Sequence, residues 1–188
     1  MPERIANKII LAEDATQQNL VRRYLERCGH TAPFRLVPLP AKGPGGSGEK
    51  YVREQYPHEV QGCRSILGRR AAALLVVIVD ADMETTRGRA AQLADALQAA
   101  GMHARVNDEP IVVLIPKRHV ETWIRALLGN QADEATNYKK APYSPPVPND
   151  IKNAATELYQ WTRPGASAGV TSPDSLNASL PEWRKIPS

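Results

Sequence analysis

The chain has 188 residues, a net charge of +4 and a pI of about 9.2, a mildly basic balance that permits a polyanionic partner without demanding one. Apolar residues make up 42% of it and aromatics only 5%, so Val, Ile, Leu and Ala must fill the core. No run approaches the roughly 18 apolar residues of a membrane span, no Cys/His cluster has zinc spacing, and the opening MPERIANK lacks the apolar stretch of a signal peptide, so the expectation is a cytoplasmic protein with no membrane partner.

In chain order, Lys8 to Ala12 is a short apolar run that reads as a buried strand ending at Glu13-Asp14. A helix is predicted from about Thr16 to Cys28, with Leu20, Val21, Tyr24, Leu25 and Cys28 on one face and Gly29 as its stop. Phe34 to Pro38 reads as a weaker strand near an edge, because prolines flank it. Ala41 to Gly48 holds four glycines and a proline and reads as a loop. A helix from Glu49 to about Leu67 carries Tyr51, Val52, Tyr56, Val60, Cys63 and Ile66, with Pro57 as a candidate kink. Cys28 and Cys63 both fall on apolar helix faces and read as buried free thiols.

Leu74 to Val79 is the clearest strand, and its unbroken apolar character predicts burial on both faces, as in a parallel sheet. It runs into Asp80-Ala81-Asp82. Thr85 or Thr86 is placed to cap a helix carrying Leu93, Leu97 and Ala100, with Gly101 at its end. Ile111 to Ile115 is a fourth strand, followed by a helix around Val120 to Leu128. The expected fold is therefore α/β, a mainly parallel four-stranded sheet flanked by helices. Residues 1–130 would form this unit. Residues 131–188, with a proline-rich crossing segment over Ala141 to Asp150 and helices near Ile151 to Trp161 and Asp174 to Ile186, would form a helical cap on the same core. Trp161 and Trp183 read as packing residues of that cap.

Ligands of open parallel sheets gather outside the carboxyl ends of the strands. Asp80 and Asp82 lie two apart on extended chain, so both can face one ion, and Glu13 joins them if the first and third strands are neighbours. Carboxylates converging this way repel unless a cation sits among them, and Mg²⁺ (or Mn²⁺) takes such oxygens together with waters. A strand ending in Glu, two β-α steps, then a buried strand ending in Asp-x-Asp resembles the TOPRIM domain of topoisomerases, primases, recombination factors and OLD (overcoming-lysogenization-defect) nucleases, over about residues 8 to 128. Glu121-Thr-Trp123, after the fourth strand, is similar to the small TOPRIM proteins of the RloB and OLD-related groups found beside phage-defence genes. The resemblance implies a metal-dependent nuclease in antiviral defence, with Glu13, Asp14, Asp80 and Asp82 as candidate metal ligands and Glu121 as a ligand for a second ion. It also implies a separately encoded ABC- or AAA-type ATPase as partner, with self-association left open. Glu121 has a second reading, as a charge favourable to the helix N-terminus. The chain departs from the family pattern at Asp14, where Gly is common, and at Gln17, where OLD-type enzymes often carry an acid.

The catalytic candidates are Glu13, as ligand or general base, Asp80, Asp82 and Lys117, whose charge after the fourth strand suits transition-state stabilisation of phosphoryl transfer. The loop Gly43 to Lys50 fails the P-loop pattern, because Glu49 and Lys50 stand where Lys and Ser or Thr are required. Lys42, Lys50, Arg53 and Arg118 are candidate contacts to a DNA or RNA backbone, against the alternative of a solvated surface. Arg69-Arg70, Arg125 and Lys139-Lys140 supply further positive charge. Two other functions fit parts of the pattern. One is a non-catalytic adaptor with a structural or vestigial metal site. The other is a receiver-like phosphoacceptor domain, which would need a fifth strand that is not evident.

Overall fold

The computed structural model describes residues 5–41, 47–169 and 172–188. Four strands, β1 (Asn7–Ala12), β2 (Arg35–Leu36), β3 (Ala73–Ile78) and β4 (Ile111–Leu114), form one parallel sheet in the order β2-β1-β3-β4. Six helices accompany them: α1 (Ala15–Arg27), α2 (Gly48–Gly68), α3 (Thr86–Ala99), α4 (Val120–Leu127), α5 (Pro148–Thr162) and α6 (Asp174–Trp183). The expected α/β fold with a mainly parallel sheet is the fold observed.

Successive side chains of a strand point to opposite faces, and both faces here are apolar. Ile10, Ala12, Leu74, Val76, Ile78, Val112 and Leu114 point to one face, under α1, α4, α5 and α6. Ile9, Leu11, Ala73, Leu75, Val77, Val79 and Ile111 point to the other, under α2 and α3. β3 is buried along its whole length, which is why its sequence is a continuous apolar run rather than an alternating one. β2 is only two residues long and exposed, a blunt edge beside prolines. Gly29 and Gly101 end α1 and α3 in the left-handed region, with φ of +86° and +70°. Thr85 caps α3 by accepting a hydrogen bond from the Gly88 amide. α2 runs through Pro57 from Gly48 to Gly68.

Leu158, Trp161, Leu176, Leu180, Trp183 and Ile186 belong to the same buried cluster as β1, β3 and α1. Cys28 and Cys63 are buried free thiols. Among the described residues no helix is long and apolar enough to cross a membrane.

The topology creates one special place. From β1 the chain leaves toward β2 through α1 on one face; from β3 it leaves toward β4 through α3 on the other. The carboxyl ends of β1 and β3 are adjacent, with Ala12 paired to Ile78. Helices diverging from neighbouring strands open a crevice there, the usual ligand site of such sheets.

Candidate metal centre

Glu13 leaves β1 and Asp80 leaves β3 into this crevice. Glu13 Oε2 accepts a hydrogen bond from the Asp80 amide at 2.6 Å, so the first acid is tied to the backbone carrying the second. The start of α2 lies against it: a Cβ built on Gly48 would stand 2.9 Å from Glu13 Cβ and 3.0 Å from Oε1, so a side chain there would displace Glu13. Burial, and secondarily the Asp80 carboxylate, push the Glu13 carboxyl up to about 8, although the Asp80 amide and Lys139 pull the other way. In metal-free protein this sets the sign of a pH effect. Between the ordinary value of 4.5 and about 8, folded protein keeps a proton that unfolded chain has lost, so stability falls as pH rises through that window. The Glu13→Gln protein keeps an acceptor for the Asp80 amide and has nothing to ionise. Its stability, measured by urea denaturation with EDTA at pH 5, 6.5 and 8, is expected to fall less between pH 5 and 8 than that of the parent. Parallel pH profiles for the two proteins would show the shift to be absent.

Asp80 is fully buried. Its Oδ1 accepts from Gln17 Nε2 at 2.8 Å and from the Val120 amide, at the start of α4, at 3.1 Å. Gln17 is itself fully buried, and its Oε1 accepts from the Glu13 amide at 3.0 Å. A glutamine fits here because one end must donate and the other accept; an acid could not donate to Asp80 unless protonated. The fold uses Gln17 as a brace between the two strand ends. Asp14 caps α1, its Oδ1 accepting from the Gln17 amide at 2.9 Å.

Asp80 Oδ2 faces a cation that the sequence marked only as general positive charge and not as part of the site. Lys139 Nζ lies 3.0 Å from it, 3.5 Å from Asp14 Oδ2 and 3.8 Å from Glu121 Oε2. Burial works against its charge, but Asp80, Glu121 and Asp14 outweigh that and hold the ammonium more tightly protonated than an ordinary lysine. Lys139 belongs to the irregular segment between α4 and α5 and is positioned through its neighbour. Tyr138 is buried, bonds Asp133 through its hydroxyl, stacks edge-on against Tyr143 at 4.7 Å and carries the Arg125 guanidinium 5.2 Å from its ring centre.

Asp82 is partly exposed and has a φ of +54°, a left-handed conformation that Asp tolerates better than most residues. Its Oδ1 is 3.4 Å from His119 Nδ1, and Asp80 Oδ2 is 3.5 Å from the same nitrogen. Asp80, Asp82 and His119 each present a ligand atom within 4.8 Å of one another, so this group can hold a metal ion. The donor set fits a divalent cation, and the buried His119 ring has no hydrogen-bond partner on either nitrogen. Glu121, in the first turn of α4, is buried; its Oε2 makes no hydrogen bond and has only the Lys139 ammonium at 3.8 Å, and burial pushes its carboxyl up to about 6.

No family model, no curated protein and no solved structure matches this chain. Its function must be read from the site's own geometry.

The remaining candidates are spread more widely. Lys117 turns its ammonium to the Glu84 carbonyl at 2.6 Å, bracing the loop after β3. Arg118 reaches Met83 Sδ through Nη1. Lys50 is exposed and 3.9 Å from Glu54; Arg53 is half-buried on α2. Lys42 lies outside the described residues. Arg89 was not singled out from the sequence. It is buried, donates to the Asp80 and Ala81 carbonyls at 3.1 and 3.3 Å, and pairs with Glu49 at 2.6 Å, so it fixes the turn that carries Asp82. Beside Glu13 and Asp14 a cleft of about 470 Å³ opens, lined by Thr16, Leu39, Pro40 and Gly48 among others.

Proposed function

We propose that this chain is a divalent-metal-dependent phosphodiesterase of the TOPRIM type that cuts DNA or RNA. The observation that carries the reading is the meeting of Glu13 and Asp80 from adjacent parallel strands at the crevice, with Asp82 and His119 beside them. Asp80, Asp82 and His119 would hold a Mg²⁺ or Mn²⁺ ion, with Asp14 and Glu121 near enough to contribute to a second. Such an ion polarises a phosphoryl oxygen and lowers the pKa of an attacking water.

The chain's own groups do the rest. Glu13, whose Oε2 accepts from the Asp80 amide beside the position of the ion, is placed to take or give a proton as general base or acid. The Lys139 ammonium offers positive charge to a phosphate oxygen that replaces one of its carboxylate partners. Gln17, Arg89 and the α4 N-terminus hold Asp80 in one orientation, so the acid does not have to be ordered by substrate. The cleft beside Glu13 and Asp14 gives a strand a way in. By the same resemblance, the partner is a separately encoded ABC- or AAA-type ATPase and the setting is phage defence.

Plasmid, single-stranded DNA and RNA incubated with purified protein and Mg²⁺ or Mn²⁺ test this. Cleavage is expected with metal, lost to EDTA, and reduced about 100-fold or more in Asp80→Asn. One observation favours a second reading, a non-catalytic adaptor. Lys139 already supplies a cation to Asp80, so the acids are partly satisfied without metal. Absence of cleavage with every substrate, alone and with the product of a neighbouring ATPase gene, would overturn the nuclease and favour the adaptor.

A further inference from the structure

We propose that His119 is a metal ligand through Nδ1 and that it makes this centre prefer ions of the Mn²⁺ class over Mg²⁺; the proposal rests on the metal-dependent reading above. His119 stands at the N-cap position of α4 in extended conformation, with φ of −153° and ψ of 152°, yet makes no side-chain capping bond. The residue is 6% exposed. Neither ring nitrogen has a hydrogen-bond partner. Buried polar groups in folded proteins are nearly always satisfied, and an orphan calls for a specific explanation such as an ion.

The surroundings supply that explanation. Nδ1 is 3.4 Å from Asp82 Oδ1 and 3.5 Å from Asp80 Oδ2. Neither approach meets hydrogen-bond geometry. Two atoms that each ligate one ion at about 2.1 Å stand about 3.0–3.4 Å apart at octahedral or tetrahedral angles, so the two histidine–carboxylate spacings suit a shared ion. Asp80 Oδ1 is committed to Gln17 and Val120, so Oδ2 is its ligand atom, and an ion there displaces the Lys139 ammonium that lies 3.0 Å from it. Asp82 reaches the histidine from a left-handed backbone, an uncommon conformation of the kind that gathers at functional sites. Arg89 holds the carbonyls of residues 80 and 81 and so keeps that turn in place.

The donor set then decides the ion. Mg²⁺ favours all-oxygen ligands and keeps its waters, whereas Mn²⁺ and its neighbours accept imidazole nitrogen beside carboxylate oxygen. Two carboxylates and one imidazole form a mixed site, and the imidazole contributes most where the ion accepts nitrogen. The competing role for His119 is an imidazolium paired with Asp80 and Asp82 and no metal contact.

Calorimetric titration of metal-free protein with Mn²⁺ and with Mg²⁺, together with pulsed electron paramagnetic resonance of the Mn²⁺-loaded protein, separates the two roles. The expected result is Mn²⁺ binding at least 10-fold tighter than Mg²⁺, with ¹⁴N coupling from the imidazole in the Mn²⁺ spectrum. In His119→Ala the coupling disappears and Mn²⁺ affinity falls toward that of Mg²⁺, whose own affinity changes little. Mn²⁺ bound without ¹⁴N coupling, or Mn²⁺ affinity untouched by the substitution, overturns the proposal and leaves the metal-dependent reading standing. No binding of either ion overturns both. Nitrogen-coupled Mn²⁺ in a protein that cuts no nucleic acid supports the ligand assignment and counts against the nuclease. The spectrum of the unsubstituted protein decides the ligand question even if His119→Ala does not fold.

Discussion

Replacing Lys139 by methionine is expected to destabilise the metal-free protein by about 3 kcal/mol at pH 7, the lower end of what breaking a buried ion pair costs. The side chain of Asp80 is 1% exposed and that of Glu121 8%, and with Asp14 they share this one ammonium. Methionine keeps the length and apolar stem of lysine but leaves these carboxylates with no cation between them. Lys139 is itself one-third exposed, so solvent screening moderates the loss. The substitution also sharpens the response to metal. A divalent ion competes with the ammonium for Asp80 Oδ2; without the ammonium, binding stabilises the folded state with nothing to displace. Urea denaturation with EDTA and with millimolar Mn²⁺ measures both effects. The variant should be the weaker protein in EDTA and gain more than the parent on adding metal. The deficit should be smaller at pH 5 than at pH 8, because Glu121, already pushed up to about 6, takes a proton as the pH falls. Equal stability in EDTA and an equal gain from metal would show that Lys139 does not balance this site.

Trp183→Ala should cost about 3–5 kcal/mol, the usual range for removing a large buried aromatic. Trp183 is fully buried in α6, and its ring lies 4.5 Å from that of Tyr24 in α1. The Tyr24 hydroxyl sits 2.8 Å from Thr162 Oγ1 in α5 and 3.3 Å from the Trp183 carbonyl, so α1, α5 and α6 meet at this point. The Trp183 indole N–H has no partner, and removing it offsets a small part of the loss. Because these helices and the sheet share one buried cluster, unfolding should stay a single cooperative transition at a lower midpoint. Two separated transitions, with the unit spanning residues 1–130 unfolding as before, would mean that the C-terminal helices form an independent layer.

Most of the fold was legible from local pattern. The continuous apolar run of β3, the short run of β1, the proline-flanked β2 and the glycines after α1 and α3 are signals carried by a few adjacent residues, and the structure uses each as expected. The positions of Glu13, Asp80 and Asp82 at strand ends follow from the same patterns. Their meeting needed β1 and β3 to be neighbours, which the order β2-β1-β3-β4 provides.

The rest of the centre was hidden because its partners are far apart in the chain and no periodicity links them. Lys139 is 59 residues from Asp80 and sits in an irregular segment whose path is set by Tyr138, Tyr143 and Arg125. Gln17 looks like an ordinary helix residue until its two ends are seen to join Glu13 and Asp80. His119 and Arg89 look like ordinary surface residues in one dimension and are buried in three. Strand, helix and turn propensities are local, so the amino-acid order alone specified the layers and which acids end the strands. A buried charge or an unpartnered imidazole, by contrast, acquires its chemistry from whatever the folded chain brings within 3 to 4 Å of it, and that is why Lys139, His119 and Gln17 became readable only in the folded molecule.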